Sequence, residues 1–159
     1  MKRLLRAGLL AVLAATSVQA LDIGQSLPAI ALADQFGKPQ DITLATRRVY
    51  FTHDMAGGKL LKAALGEQGQ AVLDAQQALA IADVSGMPSV IRNTMALPAM
   101  KKRSYRIGID VEGKAVAMLP RQPDAVTVIE LNQLTVTAVQ YFVDDKALAA
   151  AVQSAAAGK

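Results

Sequence analysis

A chain of 159 residues with no cysteine excludes thiol–disulfide exchange, thiol peroxidase chemistry and thiolate metal ligation at the outset. Its 17 lysines and arginines outnumber 13 acidic residues, but three of the basic ones (Lys2, Arg3, Arg6) precede Ala7, which leaves 14 against 13 from Leu21 onward. A nearly neutral body carries no net basic footprint, so neither nucleic acid nor an anionic membrane is expected as its partner.

The first predicted element is a secretory signal. Lys2, Arg3 and Arg6 form a charged start, Ala7 to about Val18 is an apolar run, and Val18-Gln19-Ala20 offers the small residues of a cleavage site. The run is shorter than the roughly 20 apolar residues a spanning helix needs. Cleavage after Ala20 is therefore expected, giving a periplasmic protein without stable membrane insertion; an uncleaved anchor is the alternative. Residues 21–159 fit one domain with a buried core.

From Leu21 to Leu44 the chain shows little periodicity. Asp34-Gln35-Phe36-Gly37-Lys38-Pro39 reads as a turn between two short extended pieces. Arg47–Thr52 is rich in strand formers. Lys59–Gln77 follows as an amphipathic helix on Leu60, Leu61, Ala64, Leu65, Val72 and Leu73, with a break expected near Gly66 or Gly69. Ala78–Val84 suits a buried strand. A helix from Pro88 toward Met100 comes next, which Pro98 is expected to end or kink. Beyond Lys101-Lys102-Arg103, Tyr105–Asp110 is a strand, and Glu112–Pro120 is open between helix and loop. Ala125–Leu131 and Leu134–Val143 form a hairpin about Asn132-Gln133. An alanine-rich helix begins at Asp144 or Asp145, where an anion suits the helix dipole.

Strands alternating with helices predict an α/β fold with a parallel portion of sheet, to which the hairpin adds an antiparallel edge. Particular residues sharpen this. Gly24-Gln25-Ser26-Leu27-Pro28, followed by Asp34-Gln35-Phe36-Gly37-Lys38, resembles the opening of peroxiredoxins and TlpA-type proteins. Met55-Ala56-Gly57-Gly58-Lys59 falls where those proteins place Cys-x-x-Cys-Lys, with Met55 and Gly58 at the two cysteine positions, and Pro123 falls where they carry a cis-proline. The resemblance implies a thioredoxin-like fold: a central mixed β-sheet flanked by helices, with an N-terminal β extension. The cysteine-free site also resembles the YtfJ-type exported proteins, which implies fold and compartment rather than an activity.

The candidate ligand-binding residues are His53, Asp54, Met55, Gly57, Gly58, Lys59 and Pro123. The loop His53–Lys59 leaves a strand's carboxyl end and opens a helix, where ligands and anions are favoured. One reading has a small anion on the Gly57–Lys59 amides and the Lys59 ammonium; the other has Asp54 capping the helix while the glycines form its entry turn. It is not a P-loop, which needs further glycines and a Lys-Ser/Thr ending. His53 is the only histidine, and with no cysteine the ligands for a zinc site are too few, so no metal is expected. Asp83 ends a strand, placed either for catalysis or to cap the next helix. Ser85-Gly86 lacks the Gly-x-Ser-x-Gly elbow, and no dinucleotide fingerprint supports a cofactor. No catalytic residue and no cofactor are expected. The function so implied is a redox-inactive binding or scaffold module for another exported protein or peptide. A non-thiol enzyme or a small-ligand or metal carrier using the His53–Lys59 loop is the alternative.

Overall fold

The computed structural model describes residues 21–158; the signal expected over residues 1–20 lies outside them. Arg48–Thr52 (β2) is the centre of the molecule because its side chains are buried on both faces. Val49 and Phe51 point into one core, and Tyr50 into the other. Strand alternation divides its neighbours in the same way. Ala78–Asp83 (β3) sends Ala78, Ala80 and Ala82 to the Tyr50 side and Ile81 to the opposite one. Val126–Asn132 (β5) sends Val126 and Val128 to the Tyr50 side and Ile129 and Leu131 away from it.

Six strands form one sheet in the order β1-β4-β3-β2-β5-β6, with Ala33–Asp34 as β1, Ile107–Asp110 as β4 and Thr135–Phe142 as β6. The β2–β3 and β3–β4 pairs are parallel, while β1–β4, β2–β5 and β5–β6 are antiparallel. The sheet is thus mixed, as expected. Helices Met55–Leu65 (α1), Gly69–Ala75 (α2) and Asp145–Ala157 (α5) contribute Leu61, Leu65, Leu73, Leu148 and Val152 to the Tyr50 core. The other face is covered without a helix, by Leu21, Leu27, Ile30 and Ile42 of the entry segment and by Val116 and Leu119.

The entry segment is fastened to the sheet through side chains. Asp34 accepts hydrogen bonds from the Phe36 and Lys38 amides at 2.9 Å each and from Arg106 Nε at 2.6 Å. Gln35 donates to the Tyr105 carbonyl at 2.9 Å and accepts from the Ile107 amide at 2.8 Å. These bonds hold the expected Asp34–Pro39 turn against β4.

The predicted helix break occurs at Gly66, which caps α1 at φ 59°, a left-handed conformation that glycine adopts freely. The helix itself begins at Met55, four residues before the periodicity shows it. Pro98 behaves differently from expectation. Ser89–Ile91 (α3) and Leu97–Lys101 (α4) are joined by a π-helical turn, Arg92–Ala96. There the Leu97 amide bonds the Arg92 carbonyl, five residues back. A regular α-helix would set the Pro98 ring against the carbonyl four residues earlier. The wider turn precedes that clash, and Pro98 lands in the first turn of α4, where a missing N–H costs little.

The open stretch Glu112–Pro120 is a loop built on one carboxylate. Asp110 accepts from the Glu112, Gly113 and Val116 amides at 3.1, 2.9 and 3.0 Å. The hairpin turn lies one residue later than predicted, at Gln133-Leu134 with φ 48° and 66°. At the last helix, Asp144 is the cap and accepts from Ala147 N at 2.8 Å.

Candidate functional site

The carboxyl ends of β2 and β3 and the first turn of α1 meet at one end of the sheet. Asp54 governs this corner. Its backbone is extended (φ −142°, ψ 173°), and one carboxylate oxygen accepts the Gly57 amide at 2.7 Å. The other oxygen accepts the Asp124 amide at 2.8 Å. The Gly58 amide bonds the Asp54 carbonyl at 3.2 Å. Of the two readings of this loop, the geometry is that of the capped helix. The amides of Gly57 and Gly58 are already engaged within the protein, and the anion reading loses two of its donors.

Gly57 is required by close approach. A Cβ there would lie 2.4 Å from the Ala125 carbonyl oxygen. Helix α1 therefore rests directly on the chain entering β5, and Pro123 stands beside it, exposed to solvent. The cis-proline expectation is corrected here: no peptide bond among the described residues is cis. The chain turns instead at Asp124, with φ 57°, a conformation aspartate tolerates better than most residues.

Met55 is exposed, Lys59 is exposed and Gly58 is half-buried. His53 is four-fifths covered: its ring stacks on Phe51 with centroids 6.3 Å apart, and Nε2 lies 3.7 Å from Asp54 Oδ2. Among the described residues no serine hydroxyl is hydrogen-bonded to His53, and no three His, Asp or Glu side chains gather as a metal-holding group. The seven candidates thus divide. His53, Asp54, Gly57, Gly58 and the Pro123 corner form one structural joint, while Met55 and Lys59 are exposed at the start of α1.

Behind this joint lies a second group of charges. Asp83 ends β3 in register with Asp110 at the end of β4. The two carboxylates are satisfied separately. Asp110 holds the loop amides already described. Asp83 accepts the Ser85 amide at 2.9 Å and Arg121 Nη1 at 2.9 Å, while Arg121 Nη2 donates to the Val116 carbonyl at 3.1 Å. Burial pushes the Asp83 carboxyl up, but the bonds from Ser85 and Arg121 outweigh it and hold the group below its ordinary value. The Arg121 guanidinium also lies over the Phe51 ring, 5.2 Å from its centre. Asp83 is therefore a structural anchor that closes its own turn to Ser85 and does not cap the helix at Ser89. Arg121 was beyond sequence reasoning; the available signal was two aspartates ending adjacent strands, one of which needs a cation.

With this geometry in place, solved structures supply the comparison. A peroxidoxin, BcpB, from Mycobacterium tuberculosis superimposes with a TM-score of 0.56 at 16% identity, covering 86% of this chain and 97% of that one. The fold is thioredoxin-like. A thiol:disulfide interchange protein from Bacteroides sp. gives a TM-score of 0.54 at 14% identity, over 87% of this chain and 92% of the other. The pneumococcal exposed lipoprotein thioredoxin from Streptococcus pneumoniae gives 0.53 at 14% identity, over 80% of this chain and 99% of its own. No family model matches the chain, and no curated protein does. At these identities the likeness carries the fold and no activity. The thioredoxin-like fold is here complete without a single thiol.

Proposed function

We propose that this chain is an exported, redox-inactive binding module, nearest in kind to the cysteine-free YtfJ-type proteins, that holds another exported protein or an extended peptide. The observation that carries the reading is the first turn of α1. Met55 and Gly58 occupy the positions that the resemblance gives to a cysteine pair, and Asp54 spends both carboxylate oxygens on backbone amides. Such a corner is built for rigidity rather than electron transfer. Lys2, Arg3, Arg6 and the apolar run that follows support export.

Two features supply a surface for a chain. Exposed Met55 and Pro123 flank the α1 corner. Beyond β5, strand β6 is a sheet edge of eight residues; among the described residues it is paired outwardly only at its start, by the Ser26–Thr135 bridge and the bonds Val136 makes with Gly24 and Gln25. An open edge offers amides and carbonyls for strand addition.

The test is photo-crosslinking in the producing cell, with the crosslinking residue placed at Met55, at Gln140 of β6, or at exposed Ala29 on the opposite side of the sheet. The reading expects a discrete polypeptide adduct from the first two positions and none from Ala29, in the exported fraction. Equal labelling from all three, or adducts only in the cytoplasm, would overturn it.

A further inference from the structure

We infer that the helical segment of residues 89–101, with the basic loop that follows it, is a docking face for an anionic lipid bilayer. None of the residues of α3, the π-helical turn or α4 is buried. Attachment to the body runs through Met87 and Met100, which pack on the Tyr50 core. The outward side is apolar: Val90 is 70% exposed, Ile91 45% and Met95 65%. Positions 90, 91, 94, 95 and 98 share one side of the helix by its periodicity. Three large apolar side chains in solvent on one short segment call for a covering partner.

Charge identifies that partner. Between Asp83 and Asp110 the chain has no acidic residue, yet it carries Arg92, Lys101, Lys102, Arg103 and Arg106. Elsewhere from Leu21 onward 9 basic residues face 13 acidic ones, so the excess of positive charge is concentrated here. Arg106 is paired with Asp34. Lys101, Lys102 and Arg103 have no ion-pair partner among the described residues, and Lys62 of α1 adds a fourth such cation. Lys62, Lys102 and Arg103 border an open depression of about 460 Å³ whose apolar wall is Met95 and Pro98. Apolar side chains standing out from a convex helix, rimmed by unpaired cations, match a bilayer interface. The former enter the acyl boundary and the latter meet headgroup phosphates. A folded acidic protein would need a complementary recess for Val90 and Ile91, whereas a lipid surface deforms around them. The contact is peripheral and reversible, since among the described residues no helix is long and apolar enough to cross a membrane. Whole-chain net charge concealed this face, because acidic residues elsewhere cancel it.

The absence of cysteine makes the experiment direct. Met95→Cys in the full chain, carrying a polarity-sensitive fluorophore, is mixed with vesicles containing phosphatidylglycerol and with vesicles of phosphatidylcholine alone; Ala29→Cys is the control for the far side. The expected result is a blue shift at position 95 on the anionic vesicles only, with none at position 29. Adding Lys101→Glu and Lys102→Glu lowers the apparent vesicle affinity at least about tenfold, since each basic residue near an anionic surface contributes around fivefold. Both lysines are exposed, so the fold survives their change, and an unaltered thermal midpoint verifies it. Equal shifts at 95 and 29, equal shifts on both vesicle types, or affinity indifferent to the charge reversals would overturn the inference. A shift with soluble polyglutamate but not with vesicles would reassign the face to an acidic protein.

Discussion

Asp54 and Asp124 stand 70 positions apart in the chain and are joined by a 2.8 Å hydrogen bond from the Asp124 amide to the Asp54 carboxylate. The same carboxylate caps α1 through Gly57. One side chain thus fixes both where the helix begins and where the chain enters β5. Asp54→Ala removes a helix cap and a charge-assisted bond together, and is expected to cost about 2 kcal/mol. Asp54→Asn keeps one acceptor oxygen and is expected to lose roughly half as much. Urea unfolding midpoints check both, with exposed Met55→Ala as a near-neutral companion.

The two glycines of that first turn are expected to part company under the same substitution. Alanine is favoured over glycine in a helix by about 1 kcal/mol. At Gly58 nothing lies within 4 Å of a new Cβ, so Gly58→Ala is expected to stabilise the domain by up to about 1 kcal/mol. At Gly57 the new Cβ would meet the Ala125 carbonyl at 2.4 Å, and that backbone atom is held in place by β5. Gly57→Ala is expected to destabilise by about 2 kcal/mol or more despite its better propensity. Thermal unfolding of the pair distinguishes a packed joint from an accommodating loop, because in the latter both would gain.

The contrast shows what can be read from sequence. Strand formers crowd Arg47–Thr52, so β2 was visible in the residues themselves, whereas its burial on both faces emerges only from the sheet around it. Asp54 three positions before Gly57 also carries its capping role locally, and the capped reading of the loop was on hand. What could not be read depends on approach between distant segments. The Asp54–Asp124 bond, the Arg121–Asp83 pair and the contact of Gly57 with Ala125 exist only once β5 lies beside β2. Pro98 misled for a related reason: proline signals a broken α-helix, but a π-helical turn is a second way to avoid its clash. The basic face at residues 89–103 was hidden by averaging charge along the chain, when its meaning lies in where the acidic residues are not.

Two buried carboxylates give the domain a defined acid response. At Asp34, burial raises the carboxyl, and the bonds from Arg106, Lys38 and Phe36 more than reverse this; Asp83 is likewise held down by Ser85 and Arg121 against its burial. A carboxyl whose folded value is depressed contributes stability above its unfolded value, which is ordinarily 3.8. That contribution is lost as pH falls through the folded value. The stability of the chain is therefore expected to be level near neutrality and to fall below about pH 4. In Arg121→Met the Asp83 carboxyl loses its counter-ion and its folded value rises toward the unfolded one, so stability at neutrality is lower and the acid decline shallower. Unfolding midpoints measured from pH 7 downward check this, and a parallel decline in wild type and variant would remove Arg121 from the account.

The hairpin joining β5 to β6 carries a conformational cost that can be relieved. Gln133 and Leu134 both have positive φ, 48° and 66°, the pattern of a two-residue turn whose favoured occupants are Asn and Gly. Leu134 repays its strain in part by packing on the core that contains Val136 and Leu131, so replacing it with glycine would forfeit contacts. Gln133 is exposed and has no such compensation. Gln133→Asn is expected to raise stability by roughly 0.5 kcal/mol, because asparagine tolerates the left-handed region better than glutamine. The gain should appear as slower unfolding or faster folding according to whether the hairpin forms after or before the rate-limiting step. Stopped-flow folding and unfolding rates read which limb moves. A loss of stability would mean that the Gln133 side chain holds the turn in a way its backbone angles do not express.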